Sequence, residues 1–244
     1  YIISHSKKIL IVVPARGGSK GLPRKNASML GDIPLLGWTA EAIKKAGLSE
    51  ATSILSTDDE EIADMGREVG LEVPFMRPTE LAEDETLITD VIFHALDWLN
   101  QEKGIKPELV LLLQPTSPFR HPELILKAIK MLEDPSINGV LGVKAIHRNL
   151  STLFYADQKM NLFPLDRNEK LETRRQKVNT IYTPNGALYL IRANKLHEPK
   201  GFFNGNIRGI FMDQISSIDI DDPLDWKLAE AVVTSKISWR DKLT

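Results

Sequence analysis

Two stretches of this chain are apolar at every position: Ile9–Val13 (ILIVV) and Leu109–Leu113 (LVLLL). A strand with no polar face must be buried on both sides, as in a parallel sheet covered by helices. Thr52–Ser56 and Gly139–Val143 read as two more short strands. Between them lie helical patterns. Pro34–Ala46 is closed by Gly47, and Asp59–Val69 is stopped by Gly70. Within Leu87–Asn100, the residues Ile88, Val91, Ile92, Ala95 and Leu99 share one helical face. Pro122–Leu132 carries its proline in the first turn. The alternation predicts a doubly wound, mostly parallel sheet with helices on both faces. At 244 residues, one domain over 1–244 accommodates it.

The rhythm breaks from about 144 to 208, where only Ala187–Ile191 reads as a strand. A stretch that long without strand–helix alternation is functional or an interface, so an inserted arm is expected there. The pattern resumes with a strand at Ile215–Ile220 and a last helix at Pro223–Val233.

The loop after the first strand carries unusual chemistry. Ala15–Asn26 holds Gly17, Gly18 and Gly21 together with Arg16, Lys20, Arg24 and Lys25. Glycines let backbone N–H groups approach an anion, arginine grips phosphate oxygens in pairs, and lysine acts as a point charge. The loop lacks the Gly-Lys-Ser/Thr ending of a P-loop and the glycine spacing of a dinucleotide fingerprint. Net charge is only −2, which argues against a general nucleic-acid binder and for a small anion held locally. There are no cysteines, and no apolar run near the N-terminus is long enough to span a bilayer. The expectation is a soluble, cytoplasmic protein without nucleic-acid or membrane partners.

The sequence VPARGGSKGLPRKN, Val13–Asn26, resembles the signature loop of the CMP-sialic acid synthetases. Five further stretches resemble the same family in the same order: STDDEEIA at Ser56–Ala63, RPTELAEDET at Arg77–Thr86, LQPTSPFR at Leu113–Arg120, PNGALYL at Pro184–Leu190 and SIDIDDPLDW at Ser217–Trp226. The resemblance implies a nucleotidyltransferase-type fold and transfer of CMP from CTP to the anomeric hydroxyl of a nine-carbon 2-keto-3-deoxy sugar acid, with release of pyrophosphate. N-acetylneuraminate is the expected acceptor, and legionaminic or pseudaminic acid the alternatives. The eight-carbon 3-deoxy-manno-octulosonate fits this first loop less well. A non-catalytic nucleotide-binding module is the competing reading from another class, and it would be expected to lack the basic loop or the acidic pair.

Under that resemblance Ala15, Arg16, Gly17, Gly18, Ser19, Lys20, Lys25 and Asn26 hold the nucleotide, with Arg16, Lys20 and Lys25 neutralising the leaving pyrophosphate. Arg77 and Thr86 read the cytosine, with a helix cap as the competing reading of Thr86. Asp219 and Asp221, two apart on a predicted strand and so on one side of it, match the family's Mg²⁺ ligands. Asp222 is instead a helix cap, and Asp58 and Asp59 are strand-end and helix N-terminal residues. Gln114, Lys144, Arg175, Tyr189, Phe202 and Phe203 match sugar-site positions, with a plain core reading competing for the two phenylalanines. The group that activates the sugar hydroxyl stays open between a metal-bound water and an aspartate such as Asp219. The arm at 144–208 corresponds to the family's dimerisation arm, which implies a homodimer.

Overall fold

A computed structural model describes residues 8–18, 21–146, 148, 152–165 and 180–235. Its strands are β1 (Ile9–Pro14), β2 (Met29–Leu30), β3 (Ile33–Pro34), β4 (Thr52–Ser56), β5 (Leu109–Leu112), β6 (Gly139–Ile146), β7 (Phe154–Ala156), β8 (Leu162–Pro164), β9 (Ile181–Arg192) and β10 (Ile207–Phe211). Its α-helices are α1 (Leu35–Lys45), α2 (Glu60–Glu68), α3 (Ile88–Lys103), α4 (Pro122–Met131) and α5 (Pro223–Thr234). Six strands form the central sheet in the order β4–β1–β5–β9–β6–β10. β1 runs parallel to β4 and β5, and β6 parallel to β10, while β9 is antiparallel to both its neighbours.

β1 shows why the chain had to fold this way. Ile9, Ile11 and Val13 point into a cluster with Leu36, Ile43, Ile62 and Ile125, from α1, α2 and α4. Leu10 and Val12 point the other way, against Ile92, Ala95 and Leu99 of α3. Each fully buried branched side chain is worth about 1.5–3 kcal/mol, so a strand that is apolar on both faces specifies a layer on each side. A third cluster joins α5 to Leu30, Trp38, Phe119, Ile218 and Ile220.

The helices end where the glycines stand. Gly47, Gly70 and Gly104 all adopt positive φ just past α1, α2 and α3. Asp59 caps α2 by accepting the Ile62 N–H at 3.0 Å. Asp222 caps α5 in a reciprocal box with Asp225.

Two expectations need correction. Ile215–Ile220 is not a strand: Ser216 N–H turns back onto the Asp213 carboxylate at 2.8 Å, and the parallel place beside β6 is taken by β10. Burial still alternates through Ile218, Asp219, Ile220 and Asp221, which is the pattern the sequence displayed. The expected bounds 144–208 also take in sheet strands, because β9 crosses the middle of the central sheet and β6 continues to Ile146. Within those bounds the described residues outside the sheet include the β7–β8 hairpin and the stretch 193–206 with its two short 3-10 turns.

Two features make the site. β1 leads through α1 to β4 on one side, while β5 lies on its other side, so chain leaves the carboxyl ends of β1 and β5 in opposite directions. Open α/β sheets bind ligands in the crevice this creates. The second feature is a bulge in β9, whose register on β6 jumps from Leu141↔Tyr189 to Val143↔Pro184. Gly186 sits in the bulge at φ +80°. A Cβ there would stand 3.0 Å from Asp219 Oδ2, 3.0 Å from Gln114 Oε1 and 3.1 Å from Ser117 Oγ. Gly186→Ala is therefore expected to lower stability by about 1–3 kcal/mol, from left-handed strain and crowding together. Denaturant unfolding measures this, and an unchanged midpoint would show that the bulge tolerates a side chain.

Candidate active site

The loop after β1, the segment between α2 and α3 and the loop after β5 enclose a cleft of about 480 Å³ at the switch point. Arg16, Gly21, Lys25 and Asn26 line it from the first loop. Arg77, Glu83, Asp84 and Thr86 line it from the second, Gln114 and Thr116 from the third, and Asp221 closes it. Four segments far apart in sequence meet there, at the carboxyl ends of β1 and β5.

Each basic residue of the cleft is held. Lys25 Nζ donates to the Ile220 carbonyl at 2.7 Å and pairs with Asp221 at 3.3 Å. Gly21 comes so near this segment that a Cβ on it would overlap the Asp221 carbonyl oxygen. Arg16 pairs with Asp84 at 2.8 Å and donates to the Ala82 carbonyl at 3.3 Å. Arg24 faces away, toward Glu61 and Asp59. Ala15 is buried, with its N–H on the Ser56 carbonyl, so only its backbone belongs to the loop. Gly17 N–H is taken by the Asp58 carboxylate at 3.0 Å, and Gly18 has open space where a side chain would be. Ser19, Lys20 and Arg175 lie outside the described residues.

Asn26 is 5% exposed and donates to the Arg16 carbonyl at 3.4 Å, which leaves its Oδ1 buried without a partner. An unpaired buried acceptor is costly, so a donor on a ligand is its natural complement. Arg77 is 6% exposed and donates to Ser56 Oγ at 3.0 Å, to the Ser56 carbonyl, and to the Leu81 carbonyl at 3.5 Å. Burial first, and Arg16 nearby, pull its pKa down to about 10 against the attraction of Asp58, so it stays charged at neutral pH. Thr86 Oγ1 donates to the Glu80 carbonyl at 3.1 Å, whereas α3 begins after Leu87, which removes the cap reading of Thr86.

Beyond Gln114 the floor turns acidic. Asp219 lies under Gly186, with Ser117 Oγ 3.5 Å from its Oδ1. Its carboxyl is held above the usual range, chiefly by burial and also by repulsion from Asp221; a Thr116 hydrogen bond, Lys25 and Lys144 oppose the shift. Tyr189 is pushed up likewise, by burial and then by Asp219, and a hydrogen bond from the Gly186 backbone holds it in place. Lys144 thus acts on Asp219 electrostatically, while its side chain lines a separate pocket of about 180 Å³ with Phe211, Met212 and Gln214. Phe202 is in the core, its ring 5.4 Å from Tyr189, and Phe203 is exposed; neither lines the cleft.

Three participants were not singled out from the sequence. Asp84 read as a surface charge, since nothing in ELAEDET distinguishes the acid that meets Arg16. Gly186 stood just before the strand read at Ala187–Ile191 and was given no role of its own. Arg120, the last residue of LQPTSPFR, is 2% exposed and donates to the Ala187 carbonyl at 2.6 Å, to Thr39 Oγ1 at 3.1 Å and to the Gln114 carbonyl at 2.7 Å. An arginine closing an apolar Ser-Pro-Phe stretch was the available signal.

The oxygen chemistry suits a hard divalent cation. Asp219, Asp221, Gln114 and Ser117 offer oxygen only, and two carboxylates that repel each other are the natural partners of Mg²⁺. Among the described residues no group of three or more histidine, cysteine, aspartate or glutamate side chains could hold a metal ion, so a bound ion would rely on the two carboxylates and the substrate's own oxygens. No helix among the described residues has the length and apolarity to cross a membrane.

Comparison with known proteins identifies the family. Residues 10–200 match the cytidylyltransferase family. A CMP-N,N'-diacetyllegionaminic acid synthase of Legionella pneumophila is 37% identical over 229 residues, covering 93% of this chain and 96% of that protein. An N-acylneuraminate cytidylyltransferase of Escherichia coli is 35% identical over 232 residues, which is 94% of this chain and 53% of the relative. A Danio rerio enzyme, N-acylneuraminate cytidylyltransferase A, is 28% identical and is likewise matched over 50% of its length, so this chain spans about half of both. Among solved structures, a CMP:2-keto-3-deoxy-manno-octonic acid synthetase complexed with CTP aligns over 93% of this chain and 98% of its own, with TM-score 0.65 at 17% identity. A 4-diphosphocytidyl-2C-methyl-D-erythritol synthase of Anaerococcus prevotii covers 94% of this chain and 100% of its own, with TM-score 0.64 at 17% identity. At such identities the two structures establish the fold alone. The chain belongs to the cytidylyltransferase family, in the group that holds the CMP-sialic acid and CMP-legionaminic acid synthetases, and is a nucleotidyltransferase.

Proposed function

We propose that this chain transfers CMP from CTP to the anomeric hydroxyl of a nine-carbon 2-keto-3-deoxy sugar acid and releases pyrophosphate. The observation that carries the reading is one cleft in which Arg16, Lys25, Asn26 and Arg77 meet Gln114 and Asp221. Arg77 spends three of its five N–H groups on Ser56 and Leu81. The two left are suited to the cytosine carbonyl and N3, both acceptors; uracil presents an N–H at that ring position and would meet a donor with a donor. Asn26 Oδ1 takes a nucleoside donor. Lys25, with Arg16 and Lys20, neutralises the triphosphate and the pyrophosphate that leaves, and such charge stabilisation is the main work in phosphoryl chemistry.

Asp219 and Asp221 are the residues that would hold Mg²⁺, with Gln114 and Ser117 beside them. When bound, the ion supplies positive charge against the α-phosphoryl oxygens. Gln114, Lys144 and Tyr189 orient the acceptor acid, and Arg175 and Phe203 complete its site from the neighbouring segments. Phe202 supports Tyr189 from behind. The attacking hydroxyl loses its proton on the Asp219 side, where burial holds the carboxyl above its usual range.

N-acetylneuraminate is the acceptor of the main reading. N,N'-diacetyllegionaminate is the second, favoured by the relative that matches over nearly its whole length. The protein acts in the cytoplasm as a homodimer. Phe154, Tyr155, Leu162 and Leu165 on the β7–β8 hairpin, with Tyr182 and Phe211, expose the apolar surface a second copy would cover. Light scattering should read twice the 27.4 kDa of one chain, and a monomer would remove the dimer from the proposal.

Pyrophosphate release from CTP and Mg²⁺ should occur with one of N-acetylneuraminate, N,N'-diacetyllegionaminate and pseudaminate, and far less with 3-deoxy-manno-octulosonate. In the same assay Asp219→Asn should cost at least about 100-fold in kcat while the protein stays folded. Release with none of the acids overturns the reaction, and full activity of the variant overturns the role of Asp219. Arg77→Ala should reduce the preference for CTP over UTP by about 10-fold or more. Equal preference in variant and parent would move base reading to another residue.

A further inference from the structure

Arg120 has no place in the reaction as described so far, and its position is expensive. It is 2% exposed, and burial draws its pKa down to about 9, so it remains a cation inside the protein. A buried charge usually costs more than its pairing returns, and an apolar side chain of like volume often serves stability better. Its partners are uncharged: two main-chain carbonyls and a hydroxyl.

The choice of carbonyls is informative. Gln114 O is at the end of β5, where the chain leaves the sheet; Ser117 N–H also reaches it, at 3.2 Å. Ala187 O lies in the β9 bulge beside Gly186, and Asn185 Oδ1 meets the Ala187 N–H at 3.2 Å. The two carbonyls belong to the two backbones that carry Gln114 Oε1 and the open face of Gly186. There the Gln114 amide oxygen, Asp219 Oδ2 and Ser117 Oγ converge. A planar fork bonds several acceptors in fixed directions, which a lysine ammonium does not reproduce. The nucleotide half of the cleft is held by other groups, namely Lys25, Asp84 and Ser56.

We infer that Arg120 is a positioning residue for the acceptor half of the site: its guanidinium locks the end of β5 to the β9 bulge and so sets Gln114 against Gly186 and Asp219. The inference rests on the reaction proposed above. It predicts that removing the fork uncouples the two substrates. Acceptor use suffers, while CTP binding does not.

The test compares Arg120→Met and Arg120→Lys with the parent. CTP affinity is measured by calorimetry, and kcat and KM for the acceptor by pyrophosphate release with N-acetylneuraminate and N,N'-diacetyllegionaminate. Arg120→Met should keep CTP affinity within about twofold and lose about 30-fold or more in kcat/KM for the acceptor, in line with losing charged hydrogen bonds that orient a reacting group. Arg120→Lys, which restores the charge without the fork, should recover only part of this. Hydrogen exchange at the Ala187 amide should quicken in both. Wild-type kcat/KM in Arg120→Met overturns the inference, and so does a loss shared equally between CTP affinity and acceptor efficiency, which marks a general structural role. If Arg120→Met does not fold, Arg120→Lys is judged by the same split. Parent enzyme that binds CTP but turns over neither acid refutes the proposed acceptor; the exchange result then decides whether Arg120 locks the bulge.

Discussion

Lys25 joins the two halves of the chain that the chemistry needs together. Its ammonium, on the loop after β1, is bonded to the Ile220 carbonyl and paired with Asp221, almost two hundred residues later. With Gly21 against the Asp221 backbone, this contact fixes the spacing between the basic loop and the acidic segment. A triphosphate needs cations for its oxygens and a metal for its α-phosphoryl group, and the two sets must not neutralise each other completely. Lys25 is well covered and commits one bond to a neutral carbonyl, so part of its charge still faces the cleft. Asp221 is exposed at the rim, and Asp219 sits deeper, where burial and its neighbour push its carboxyl up.

The strand ends around this contact are clamped by guanidinium groups. Arg77 holds the end of β4 through the carbonyl and hydroxyl of Ser56, and Arg120 holds the ends of β5 and the bulged β9. A parallel sheet leaves carbonyls without ladder partners where its strands stop, and water satisfies them at an ordinary surface. Here a ligand site occupies that edge, and an arginine can supply several donors from a direction the ligand does not use. Both arginines stay charged, so they also add a standing positive field beneath a cleft built for a polyanion.

What the sequence revealed follows from which signals are local. Ile9–Val13, Thr52–Ser56 and Leu109–Leu113 announce themselves, because a doubly buried strand has to be apolar and helices must cover it. The glycines after α1 and α2 mark helix ends for an equally local reason, positive φ. β10 was hidden, since IRGIF at an edge has an exposed arginine and a glycine and no clean alternation. β9 was seen only over Ala187–Ile191, because Pro184, Asn185 and Gly186 look like a turn; they are a bulge inside the sheet. Ile215–Ile220 alternates as a strand does, yet its partner is a set of side chains under α5 and not a ladder.

The residues of the site divide in the same way. Those that the structure places in the cleft by their own loops, such as Arg16, Lys25 and Asp221, were flagged by the basic loop and by the family resemblance. Those whose role depends on what lies opposite were not: Asp84 matters because Arg16 reaches it, and Gly186 because three oxygens close over it. Arg120 is the extreme case. In sequence it is one basic residue in a proline-rich loop. Only in the fold does it become a buried cation held by three oxygens, and an unfavourable burial that the chain keeps is the kind of feature that ties stability to a site.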